Sequence, residues 1–262
     1  MNTPFVGGNW KMNLNFHEAL EIFTQIHAMT SGFSKKTEVV IFPPALYIQP
    51  LSTFVSEMKS SLLLGGQNIS NNVNGSFTGE ISSEMLSQFC DYTILGHSER
   101  RKFYYETDST IAERCIRADS IGLNKILCVG EPLEVYDSGK SIEYIDNQLN
   151  SILTKTQKIN ASSLIVAYEP LWAVGTGIPA STHYLQQITF EIRRILSDIF
   201  DETFSNEIRV IYGGSVSVHN VSEIVSIPAI DGVLVGSNSL NAKLFSEIVK
   251  IVNKQNDSDV LV

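Results

Sequence analysis

Cysteine is scarce. Cys90, Cys115 and Cys128 are the only three in 262 residues, odd in number and without CxxC spacing. Neither a disulfide framework nor a cysteine-built zinc site is expected from them. Positive charge is also short. Lysine and arginine number 19 against 28 acidic residues, a net charge of −9, which argues against a nucleic-acid partner. Any anionic small molecule must then be caught by local positive charge. No apolar run reaches the roughly 18 residues of a membrane span. The start, Met1-Asn2-Thr3-Pro4, has no basic segment leading into an apolar one, so neither a signal peptide nor a membrane partner is expected. The expected compartment is the reducing cytoplasm. No linker-like stretch divides the chain, which reads as one domain over residues 1–262, with the polar stretch 253–262 a fraying tail. What is plentiful is apolar material, 43% hydrophobic against 18% charged residues, enough for one large core and incompatible with disorder.

Short apolar or β-branched runs recur along the chain, each closed by glycine, proline or a polar cluster. They are Phe5–Gly8, Val39–Phe42, Leu62–Gly65, Tyr92–Leu95, Lys125–Val129, Leu164–Tyr168, Arg209–Tyr212 and Val233–Val235. Most are too apolar to be half-exposed strands and read as parallel strands buried on both faces. Segments of helical spacing lie between them. His17–Met29 carries Leu20, Phe23 and Ile26, and Thr110–Ala118 carries Ile111, Cys115 and Ile116. Tyr144–Leu153 and Tyr184–Ile199 carry further stripes, all read as core-facing. Strand and helix in alternation imply right-handed crossovers and a parallel sheet. Eight strands over 262 residues allow about 33 residues per unit. The expected fold class is therefore α/β, a closed eight-stranded parallel β/α barrel. Gly7-Gly8-Asn9-Trp10-Lys11 lacks the glycine spacing of a dinucleotide fingerprint.

Such barrels build their sites at the carboxyl ends of the strands, which shortens the search. The first strand delivers Asn9 and Lys11, two residues apart and so on one side of an extended segment. An amide and an ammonium suit an anionic, oxygen-rich molecule. The third delivers Gln67 and Asn68, and the fourth His97, Ser98 and Glu99. A helix starting after His97 would favour a neutral imidazole, able to donate to a carbonyl. The sixth delivers Glu169, a carboxylate against an apolar wall and suited to general-base work. The run Pro170–Gly177 joins a stiff start, a bulky Trp172 and a glycine tip, the composition of a hinged lid. Gly213-Gly214-Ser215 and Gly236-Ser237 follow the last two strands, where barrels often bind phosphate. The ordinary alternatives are a rim cation, a loop-capping histidine and a salt-bridged glutamate.

Nearly the whole chain carries motifs in one order: Gly8–Asn13, Gln67-Asn68, Gly75–Ile81, Leu95–Arg101, Cys128–Glu131, Ala167–Gly177, Tyr212–Val216 and Asp231–Gly236. In this the sequence resembles the triosephosphate isomerases, the family of the TIM barrel. The resemblance, and not the spacing, implies the mechanism: Glu169 a base, His97 a neutral electrophile, and a closing lid. It implies that Asn9 and Lys11 bind substrate, that Glu99 supports the site, and that Gly175, Ser215, Gly236 and Ser237 contact phosphate. The implied reaction interconverts dihydroxyacetone phosphate and D-glyceraldehyde 3-phosphate through an enediolate, in glycolysis and gluconeogenesis. No cofactor or metal is implied. A homodimer is, with loop 67–81 carrying Thr78 toward the partner's site. The sequence departs from the family at Leu14, often glycine, at Leu171 and Val174 in the lid, and at Ser237-Asn238, usually Gly-Ala. A different phosphosugar isomerase and a catalytically silent relative are the competing readings. Lys11, His97 and Glu169 are all present, which disfavours the second.

Overall fold

Alternation by one residue between two buried surfaces builds this molecule. The computed structural model describes residues 2–33, 36–156, 160–173 and 180–259. Its strands are β1 (Phe5–Asn9), β2 (Glu38–Phe42), β3 (Leu63–Gly66), β4 (Tyr92–Leu95), β5 (Asn124–Val129), β6 (Leu164–Tyr168), β7 (Arg209–Tyr212) and β8 (Gly232–Val235). Each pairs in parallel with its neighbours in sequence. The last returns to the first, Phe5 opposite Gly232 and Gly8 opposite Val235, and the barrel closes. The expected runs fall within one residue of these bounds, with Leu62–Gly65 sliding to Leu63–Gly66.

One set of residues fills the barrel interior: Phe5, Val40, Phe42, Tyr92, Ile94, Ile126, Cys128, Ile165, Ala167, Ile211 and Leu234 pack together. Their strand neighbours, such as Val6, Val39, Ile41, Leu127, Val166 and Val210, face the surrounding helices in a second, larger cluster. Both faces are buried, which explains why the strands read as unbroken apolar runs. The four expected helical stripes lie inside helices Phe16–Thr30, Asp108–Ser120, Ser141–Leu153 and Thr182–Ile199. Ile116 is a correction. It is 44% exposed while Ile111 and Cys115 are buried, because five helical residues carry it roughly 140° round from Ile111. Ala112 and Ala118 complete the buried face instead. Helix Ala45–Met58 holds Pro50 internally, and its spacing is not conspicuous in the sequence. The last helix, Ala242–Asp259, buries Phe245, Ile248, Val249 and Val252. It includes the start of the expected tail, where buried Asn253 accepts a hydrogen bond from Thr37 (3.2 Å).

Candidate active site

The inward register of the strands continues into the barrel mouth. On β1, Phe5 and Gly7 precede Asn9; on β6, Ile165 and Ala167 precede Glu169. Residues two apart share a side of a strand, so both polar groups emerge toward the axis. Gly213 and Gly236 follow Ile211 and Leu234 in the same way. His97 would point outward on this count. Gly96 intervenes at φ 69°, a left-handed conformation that glycine adopts without a Cβ penalty, and the chain turns. Asn9, Lys11, His97, Glu169, Gly213, Ser215, Gly236 and Ser237 then line one cavity of about 500 Å³.

His97 caps the short helix Ser98–Phe103, its Nδ1 accepting the Glu99 backbone N–H at 3.2 Å. A nitrogen that accepts carries no proton, so the ring is neutral with its hydrogen on Nε2. That atom lies 3.3 Å from Glu169 Oε1. The other carboxylate oxygen accepts the Ser98 N–H at 3.1 Å. Glu169 is 2% exposed and His97 6%, so the pair faces little competing water. Cys128 lies in the barrel interior beside Glu169. Burial, with the Glu169 charge second, pushes its thiol well above the ordinary range, and it stays an uncharged neighbour. A Cβ on Gly213 would stand 2.9 Å from Glu169 Cγ, so a side chain there would displace the carboxylate.

Lys11 occupies a left-handed backbone conformation, φ 52°. Its N–H donates to Asn9 Oδ1 (3.0 Å), and its carbonyl accepts from Gln67 Nε2 (2.8 Å). The ammonium meets Glu99 Oε1 at 2.7 Å. Asn68 is placed differently: its Oδ1 accepts from Arg114 (2.9 Å) and it is absent from the cavity lining. Leu14 has φ 71°, a left-handed conformation that glycine adopts without a Cβ penalty.

Ser237 begins a short 3-10 turn, Ser237–Leu240, after Gly236 at φ −85°, and it is not among the residues at positive φ. The left-handed requirement that serine would have strained is therefore absent. Gly175 lies outside the described residues, with the rest of 174–179. The start of the run Pro170–Gly177 is described as far as Ala173. Buried Glu131 accepts from Trp172 Nε1 (2.8 Å), Tyr184 hydroxyl (2.9 Å) and Tyr168 hydroxyl (3.0 Å). Burial pushes the Tyr184 hydroxyl up to about 12 and Tyr168 well above its ordinary range, so both remain donors at neutral pH. Sequence reasoning passed over this role of Glu131 because its donors lie 37 to 53 residues away. It named Ser98 without its role, a backbone N–H to Glu169, and it missed Asn220 in the cavity wall. No group of three or more metal-ligating side chains occurs among the described residues. Nor is any described helix long and apolar enough to cross a membrane.

A family model described as triosephosphate isomerase matches residues 4–252 of this chain. The chain belongs to the triosephosphate isomerase family. A triosephosphate isomerase from Chloroherpeton thalassium is 40% identical over 251 residues, covering 95% of this chain and 99% of that protein. One from Nocardia farcinica is 38% identical over 250 residues (95% and 96%), and one from Saccharopolyspora erythraea 37% over 247 (94% and 95%). The family span starts before Asn9 and ends beyond Asn238, so every candidate side chain lies within it.

Proposed function

We propose that this protein is a triose-phosphate isomerase, interconverting dihydroxyacetone phosphate and D-glyceraldehyde 3-phosphate by proton transfer through an enediolate. The observation that carries the proposal is the trio in one cavity: a buried carboxylate, a neutral imidazole 3.3 Å away and a lysine. Glu169 is the base. It takes a proton from the carbon beside the substrate carbonyl and returns it to the neighbouring carbon. His97 donates its Nε2 hydrogen to the developing oxyanion and moves that proton between the two oxygens. A preorganised donor at such an oxygen contributes about 3–4 kcal/mol. Lys11 supplies positive charge beside the same oxygens with Asn9, and Glu99 orients it. The backbone N–H groups of Gly175, Ser215, Gly236 and Ser237 hold the phosphate.

Proton transfer through an enediolate exchanges carbonyl and hydroxyl between two neighbouring carbons of one molecule and needs no external oxidant or reductant, and Lys11 with His97 supplies the electrophilic assistance, so the proposed enzyme uses neither cofactor nor metal. The reaction serves glycolysis and gluconeogenesis in the cytoplasm, within one catalytic domain. The proposed assembly is a homodimer. Large apolar side chains are exposed on the segments that follow β1 to β4: Met12 at 92%, Leu46 in the first turn of its helix at 85%, Phe77 at 45% and Tyr105 at 85%. Loop 67–81 is pinched at its base by a Ser70 N–H to Ile81 carbonyl bond (2.8 Å), and residues 73 to 80 are exposed. Its Thr78 reaches the partner's Asn9 and Lys11 region in this reading. The test is a coupled isomerisation assay on purified, chelator-treated protein, with its mass measured in solution. Turnover by a dimer is expected. Absence of turnover would overturn the isomerase reading, and full activity in a monomer the dimeric one.

A further inference from the structure

The phosphate end of the cavity is built by two loops, and the structure shows how each is held. After β8, the turn Ser237–Leu240 is fastened toward β1: Trp10 Nε1 donates to the Ser239 carbonyl at 3.1 Å. Ser239 hydroxyl donates to the Gly236 carbonyl at 2.6 Å. After β7, Asn220 braces its own loop from within. Its Nδ2 donates to the Ser215 carbonyl (2.9 Å) and its Oδ1 accepts the Ser217 N–H (2.8 Å). Between the two loops the described hydrogen bonds offer a single link. Asn238 Nδ2 donates to the Val216 carbonyl at 2.6 Å, beside the buried Val216 side chain. Where the family usually has alanine, no such link is possible, since a methyl group has no donor.

We propose that Asn238 is a positioning residue for phosphate, its carboxamide locking the β8 loop to the β7 loop so that Ser215 and Ser237 present their N–H groups to one dianion. The inference rests on the isomerase reading above. A dianion shared between two loops demands a fixed spacing between them, and holding it before binding reduces the ordering that binding must impose. Ser237 is exposed on the cavity wall, and the loop that carries it is steadied from the next residue. Asn238 acts through the loops and touches no reacting atom, so its effect belongs to phosphate capture alone.

The experiment compares wild type with Asn238→Ala and Asn238→Leu. Alanine removes the amide; leucine keeps the same branching at Cγ, with two methyl groups in place of the amide oxygen and nitrogen, and has no donor. Three quantities are measured: the competitive inhibition constant of inorganic phosphate, kcat/KM with D-glyceraldehyde 3-phosphate, and kcat/KM with unphosphorylated D-glyceraldehyde. Wild-type turnover of the phosphorylated substrate first establishes the isomerase reading; its absence would end that reading rather than this one. With turnover established, both variants should bind phosphate about three- to tenfold more weakly, the range set by one intramolecular hydrogen bond. Their kcat/KM with D-glyceraldehyde should follow the wild type within twofold. Phosphate binding within twofold of wild type in either variant would overturn the proposal, as would an equal fall with both substrates. Retention of affinity by leucine but not alanine would assign the effect to packing, which is also a refutation.

Discussion

Replacing Glu169 by glutamine tests the chemistry most directly, because the two side chains have the same shape. In the native site Ser98 N–H donates to Oε2 (3.1 Å) and His97 Nε2 stands 3.3 Å from Oε1. Glutamine offers one oxygen and one NH₂, so one donor must face another donor. The ring does not escape by changing tautomer, since Nδ1 already accepts the Glu99 N–H. An unsatisfied buried donor costs about 1–3 kcal/mol, and at about 2–4 °C per kcal/mol for a chain of this size the melting temperature should fall by several degrees. The larger effect is on rate. An amide does not accept the carbon-bound proton, and losing a general base costs about 100- to 10,000-fold, equivalent to about 3–5 kcal/mol of barrier. Phosphate affinity should stay within about threefold, since the carboxylate is not at the phosphate end. The assay is the coupled isomerisation rate, with inorganic phosphate inhibition measured on the same preparation where residual turnover allows, or by calorimetry. Near-normal turnover in Glu169→Gln would refute the reasoning and move the base elsewhere, with Glu99 the next carboxylate to examine.

Other expectations follow from particular residues. Ser237→Gly should change phosphate affinity by less than about tenfold, or about 1.4 kcal/mol, and leave proton transfer intact, since serine already provides the backbone N–H without left-handed strain; a larger change in the affinity of a phosphate-bearing enediolate mimic would place the contact on the hydroxyl. At Leu14, φ 71° should reverse the usual order of substitutions. Glycine is ordinarily about 0.5–1 kcal/mol worse than alanine in regular structure, but here Leu14→Ala should be less stable than Leu14→Gly by about 1 kcal/mol, the left-handed penalty. Urea midpoints in the opposite order would refute it. Alkali should destabilise the fold. Burial pushes the Cys90 and Cys115 thiols from 9.0 to about 12. Below pH 9 folded and unfolded chains both keep these protons; between pH 9 and about 12 only the unfolded chain releases them. Stability should therefore fall as pH rises through that window, and a urea midpoint unchanged between pH 8.5 and 10.5 would contradict it.

Much of this site is legible in the sequence because its placement is a local matter. Apolar runs closed by polar residues mark the carboxyl ends of strands, and two-residue alternation carries Asn9 and Glu169 inward from Phe5 and Ile165. His97 is legible for another reason: Gly96 before it and the polar run after it signal a turn into a helix. Leu14, by contrast, takes a left-handed conformation that leucine does not advertise. Ile116 shows the limit of a short helical stripe, where a single apolar residue in the wrong fifth of a turn ends in solvent.

What tertiary structure alone decided are the contacts between loops whose strands lie side by side or one apart in the barrel. Gln67 holds the Lys11 carbonyl across 56 residues, and Asn238 reaches Val216 across 22. Glu131 collects donors from the end of β6, from Trp172 beyond it and from the following helix. Ser98 meets Glu169 through a backbone N–H that every residue except proline possesses. Such bonds depend on the position and direction of two loops at once. Residue type and spacing along the chain specify each loop's chemistry, while the closed barrel sets the few ångströms between them.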